Sequence, residues 1–165
     1  MAALTTGTSA PTFSLKTLHG ESFSLREALK NGPVILAFFK ISCPVCQFAF
    51  PYLERIYKAH GGKRVSIIGI SQNDAKDTEK FLKTFGVTFS VLLDDTKTFP
   101  VSNAYGLTNV PTIFWISEDG TIEVSSVGWV KQEVEEIHHK AAEANSVAPA
   151  ALFRPDEKIA EFRAG

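Results

Sequence analysis

The sequence predicts a layered α/β domain with a mixed central sheet, on three observations. Strand-like and helix-like stretches alternate along the chain, the pattern of a sheet covered by helices. The run Val34-Ile35-Leu36-Ala37-Phe38-Phe39 is apolar on both faces, as a central strand covered on both sides must be. Near the end, Ile113 to Ile116 and Thr121 to Val127 flank the turn residues Glu118-Asp119-Gly120, which marks an antiparallel hairpin.

The elements follow in order. Phe13 to Leu25 reads as a small hairpin, with alternation on both sides of a His19-Gly20 turn. After the central strand, Val45, Phe48, Ala49, Tyr52, Leu53 and Ile56 form a helical stripe, and Gly61-Gly62 ends it. Pro51 inside that stripe predicts a kink, because it removes a donor and crowds the preceding turn. Val65 to Ile70 is a second buried strand, and about Asp74 to Phe85 is a helix carrying the favourable pair Glu79 and Lys83. A short strand at Val91 to Leu93, a short helix near Phe99 to Tyr105 ended by Gly106, the hairpin and a helix from Lys131 to Ala144 complete the domain, taken as residues 1–145. Residues 146–165 read as an extended tail in which Phe153, Ile159 and Phe162 are candidate anchors, on the domain or on a second subunit.

Composition narrows the function. A length of 165 residues suits one domain with a sizeable core. A net charge of −1 argues against a broad nucleic-acid or acidic-membrane surface. No apolar run approaches the ~18 residues of a membrane span. Met1 to Ala10 lacks the basic start and apolar stretch of a signal peptide, so the expected location is cytoplasmic, with export and loss of a leader as the alternative.

The chemistry-bearing feature is Cys43-Pro44-Val45-Cys46, the chain's two cysteines, placed between the central strand and the first turn of a helix. A helix start offers unpaired N–H groups and a partial positive charge. A sulfur at the cap can accept the N–H of Cys46 as a capping side chain does, and Pro44 at the first helical position loses nothing by lacking a donor. Both effects favour a thiolate on Cys43, the expected nucleophile. Cys46, one turn inside, is the expected resolving thiol. Competing readings are a structural disulfide, which would close a tiny loop and restrain the unfolded chain little; a zinc site, for which one CxxC supplies two of four ligands while His19, His60, His138 and His139 show no metal spacing; and an inert buried pair. No metal or other cofactor is expected.

Phe38-Phe39-Lys40-Ile41-Ser42-Cys43-Pro44-Val45-Cys46, followed by Pro51, resembles the first signature of the thioredoxin-like TlpA/ResA redoxins of the AhpC/TSA-redoxin superfamily. Tyr105-Gly106-Leu107-Thr108-Asn109-Val110-Pro111-Thr112 resembles the second, and Ile113 to Ile116 and Asp119 to Ile122 match the strand and turn that follow. The resemblance spans about Pro11 to Ala144. It implies a thioredoxin fold: a central mixed sheet flanked by helices, with an N-terminal β-hairpin and an inserted helix near Asp74 to Phe85. It implies a cis Val110-Pro111 peptide facing the cysteines, with the backbone of Val110 pairing an extended substrate and Pro111, Pro44 and Val45 beside it. The expected partners are protein disulfides or dithiols and an upstream thiol reductant or oxidant.

The sequence departs from that family in several places. Ala37 stands where thioredoxins carry a buried Asp, and Ala49 where ResA-like proteins carry a Glu, so neither carboxylate can take the proton of Cys46. Ser42 replaces the usual Trp, and the Pro44-Val45 pair differs from the common ones, a pair known in the family to tune potential. Lys40 is unusual beside such a site: it reads either as a charge that stabilises a thiolate or as a surface lysine packing its stem on the sheet end. The expected activity is thiol–disulfide exchange. A peroxiredoxin-type peroxidase is the alternative, although Lys40 and Leu36, or Cys43 and Phe39, stand where such enzymes need Thr or Ser and Pro. A Sco-type copper carrier would need CxxxC.

Overall fold

The computed structural model describes residues 2–165. Five strands form the central sheet: β3 (Val34–Phe39), β4 (Ser66–Ser71), β5 (Ser90–Leu93), β6 (Thr112–Ile116) and β7 (Ile122–Val127), in the order β5-β4-β3-β6-β7. β3 pairs parallel with β4, and β4 with β5; β6 runs antiparallel to both β3 and β7. The apolar run therefore lies at the centre of the sheet, and its C-terminal end delivers the cysteine segment.

Alternation along β3 feeds two cores. Phe39 faces one side, with ring centroids 4.4 Å from Phe50 and 4.9 Å from Phe81; these rings belong to α2 (Pro44–His60) and α3 (Ala75–Phe85). Phe38 faces the other, 5.4 Å from Tyr105 and 5.9 Å from Phe114. The buried face of α5 (Lys131–Ala144), including Val134, Ile137 and Ala141, joins the first core. α4 (Pro100–Ala104) and the N-terminal hairpin, β1 (Ser14–Lys16) with β2 (Ser22–Ser24), close over the second. α2 runs unbroken through Pro51, and its buried stripe is wider than the sequence suggested, adding Phe50, Glu54 and His60.

One element differs from expectation. Leu25 does not end the second hairpin strand but begins α1 (Leu25–Leu29), because the Ser24 side chain accepts the Glu27 N–H and starts a helix. The tail folds back on the domain. Leu152 is buried, Phe153 packs on Tyr52 and Trp129, and Arg55 grips Glu157 through two 2.7 Å bonds. The tail ends in β9 (Phe162–Arg163), which pairs antiparallel with β8 (Trp129–Val130). Phe153 and Ile159 pack against the core, whereas Phe162 is 62% exposed and does not anchor the tail on the domain. Strand alternation turns Arg163 onto the Phe48 ring and Phe162 outward. No described helix is long and apolar enough to cross a membrane.

Candidate active site

The chain leaves β3 at Phe39 and turns through Lys40 to Ser42 before α2 begins. Cys43 is the helix cap: its backbone is extended (φ −84°, ψ 113°), and Pro44 opens the helix. The Cys46 N–H donates to Cys43 Sγ at 3.2 Å, and the Cys43 carbonyl accepts from the Gln47 N–H at 3.0 Å. The turn is clamped at Ile41, whose N–H donates to Asn73 Oδ1 and whose carbonyl accepts from Gln47 Nε2, each at 3.0 Å. Asn73 is itself held by Ser71, whose hydroxyl meets that of Thr78 at 2.6 Å. The loop carrying Cys43 is therefore tied to β4 and to the inserted helix.

The Val110-Pro111 peptide is cis and faces the pair: the Cys43 S–H donates to the Val110 carbonyl at 3.3 Å. This loop is fixed from both ends. The Thr112 hydroxyl donates to the Asn109 carbonyl at 2.8 Å. Upstream, the buried Asp94 carboxylate accepts from Val101 N, Ser102 N and Ser102 Oγ, at 3.3, 2.8 and 2.8 Å, and so pins α4. Gln72, at the end of β4, donates to the same Ser102 hydroxyl at 3.0 Å.

The two sulfurs differ in environment. Cys43 is half-buried and Cys46 is completely buried. Burial first, then the hydrogen bond with Cys43, pushes the Cys46 thiol far above the usual thiol range, against the opposing pull of the Lys40 backbone and charge. Ala37 and Ala49 are buried in the same core cluster as Cys46 and offer no carboxylate. The buried carboxylate of α2, Glu54, is engaged by the Thr88 N–H and hydroxyl and by Lys58.

Of the remaining residues singled out from sequence, Pro44 is exposed, Val45 half-buried and Pro111 buried. Lys40 is exposed and lines, with Gln72, Leu107, Thr108, Asn109 and Val110, a cleft of about 160 Å³ beside the 110–111 loop. The larger cleft of about 540 Å³, bordered by His19, Glu79 and Lys83, shares no residue with this site. Among the described residues, no three potential His, Cys, Asp or Glu metal ligands come together. Asn73, Gln47 and Asp94 were not singled out from sequence. A lone polar residue such as Gln47 or Asn73 carries no signal until the chain is folded around it.

The AhpC/TSA family model matches residues 6–125. The chain is 36% identical over 132 residues to the thiol-disulfide oxidoreductase ResA of Halalkalibacterium halodurans, covering 79% of this chain and 73% of that protein. It is 33% identical over 135 residues to the thioredoxin-like protein YneN of Bacillus subtilis, covering 79% and 76%. Among solved structures, a thiol:disulfide interchange protein of the thioredoxin family from Chlorobium tepidum superposes with a TM-score of 0.68 at 28% identity, covering 84% of this chain and 99% of that one.

Proposed function

The chain belongs to the AhpC/TSA family as a ResA-type redoxin, and we infer that it is a thiol–disulfide oxidoreductase whose nucleophile is Cys43 and whose resolving thiol is Cys46. The observation that carries this reading is the asymmetry of the pair. One sulfur sits at a helix cap, accepts a backbone N–H and is reachable; the other lies one turn deeper and is wholly buried.

Starting from the dithiol, the Cys43 thiolate attacks one sulfur of a substrate disulfide. A Cys43–substrate bond forms and the first substrate thiolate leaves, to be protonated by water. Cys46 then gives up its proton and attacks Cys43 Sγ. The Cys43–Cys46 disulfide forms and the second substrate thiolate departs. Two electrons have moved from the pair to the substrate. The Cys46 N–H stabilises negative charge on Cys43 as the attacking thiolate. Val110, whose carbonyl meets the Cys43 sulfur, pairs with the backbone of the extended substrate. Pro44 and Val45, which follow Cys43 directly in the chain, flank the bound substrate in this reading, and Lys40 lines the cleft beside Val110. An upstream thiol reductant restores the dithiol. In a reducing compartment the pair works as a reductant.

The test is reduction of insulin disulfides by the dithiothreitol-reduced protein, with peroxide consumption measured in parallel. Insulin reduction that is abolished in Cys43→Ser supports the reading. Rapid peroxide turnover without disulfide reduction overturns it.

A further inference from the structure

The last five residues take no part in the exchange steps above, yet they lie against its substrate face. Behind them the tail is firmly seated: Leu152 is buried, Arg55 and Glu157 are joined twice at 2.7 Å, and Trp129 Nε1–H donates to the Ala160 carbonyl at 2.7 Å. From residue 161 onward every residue is exposed. What holds this end is thin. Lys131 N–H donates to the Glu161 carbonyl at 2.9 Å and its Nζ lies 3.6 Å from the exposed Glu161 carboxylate, two residue pairs join β8 and β9, and the Arg163 guanidinium lies 4.2 Å over the Phe48 ring.

That thin end reaches the loop that faces Cys43. Asn109 Nδ2–H donates to the Gly165 carbonyl at 3.1 Å. A Cβ on Gly165 would collide with the Val110 carbonyl oxygen, the atom that accepts the Cys43 S–H. Gly128, at φ +75°, permits the approach from the other side, since a Cβ there would lie 2.6 Å from the Arg163 carbonyl. The chain thus lays its own extended backbone beside Val110, where an extended substrate would have to lie.

We propose that residues 161–165 are a built-in competitor for the substrate groove, and that this strap swings out for polypeptide disulfides while small disulfides reach Cys43 with it in place. The inference rests on the preceding assignment of Val110 as the substrate platform. A two-residue edge strand whose own side chains are exposed opens without unfolding the domain. If the open form holds about a tenth of the population, apparent kcat/KM for a polypeptide is reduced about tenfold.

Two variants test it: truncation after Ala160, and Arg163→Pro, which keeps the length but removes the guanidinium and a strand N–H. Turnover of insulin and of hydroxyethyl disulfide is compared with the full chain. Expected is a rise of roughly tenfold in kcat/KM for insulin, with the small disulfide unchanged within about twofold. Unchanged or slower insulin reduction in both variants, with the small disulfide still turned over, overturns the strap. Loss of both activities already in the full chain overturns the exchange chemistry beneath it instead. Hydrogen exchange adds a direct readout: trapping a peptide on Cys43 in Cys46→Ser should deprotect residues 161–165, and unchanged protection there contradicts the competition.

Discussion

The resolving step should have a pH dependence set by the burial of Cys46. In the mixed disulfide Cys43 no longer carries a thiol, but Cys46 remains wholly buried, and burial is the leading cause of its raised pKa. Its neighbours Ala37 and Ala49 provide no base. The attacking thiolate is then a small fraction at every accessible pH and grows about tenfold per pH unit without a plateau. An ordinary thiol near 8.5 would gain about 25-fold between pH 7 and 9 and then only about 1.3-fold from 9 to 10. The buried thiol should gain about 100-fold and then about tenfold more. The assay is stopped-flow reaction of the reduced protein with substoichiometric 5,5′-dithiobis(2-nitrobenzoate). The first chromophore release, from attack by Cys43, depends on reagent concentration; the second, from attack by Cys46, does not. A second-phase rate that levels off near pH 9 would mean that Cys46 titrates as an ordinary thiol and that the pair has a proton acceptor.

Three further outcomes follow from the packing. Asp94→Ala strips the acceptor from the buried donors of α4 and should cost about 3 kcal/mol in urea unfolding, with slower insulin reduction as the 110–111 loop loosens; a loss below about 1 kcal/mol would mean other groups already satisfy α4. Glu157, hydrogen-bonded first by Arg55 and then by the Arg154 N–H, is held at about 2, below its usual 4.5, so its contribution is complete above about pH 4.5 and lost as pH falls through about 2; protection factors of residues 152–160 should fall over that window and be low already at pH 7 in Glu157→Gln. His60 lies buried 5.0 Å from His138, with Asn145 Nδ2–H donating to its carbonyl; burial first, then the charges of His138 and Lys63, lowers its pKa. Its contribution is present above about pH 6.5 and lost on acidification, so Tm should fall between pH 6.5 and 5 and fall less in His60→Phe.

The sequence carried most of the fold because its signals are local. Val34 to Phe39 is apolar on both faces and lies at the sheet centre; Asp74 caps the inserted helix through the Asp77 N–H, and Gly86 ends it in the left-handed conformation. α1 escaped notice because Ser22-Phe23-Ser24-Leu25 alternates like a strand, while a single cap bond at Ser24 decides for helix. The pairing of β8 with β9 joins segments more than thirty residues apart, and no periodicity announces such a ladder two residues long. At the site, spacing alone put Cys43 at a helix cap. The closure of Val110 onto that sulfur came only with the family resemblance, and the clamp of Asn73 and Gln47 on Ile41 exists only once strand, loop and helix have met.

The division of labour between the sulfurs is tested most directly by trapping. Each single serine variant is incubated with an oxidised polypeptide, quenched in acid and examined by intact mass and peptide mapping. Cys46→Ser should accumulate a stable mixed disulfide mapped to Cys43, while Cys43→Ser should remain unmodified because its surviving thiol is buried and protonated. Adducts on Cys46 in the Cys43→Ser variant, formed as fast as those on Cys43, would contradict the account.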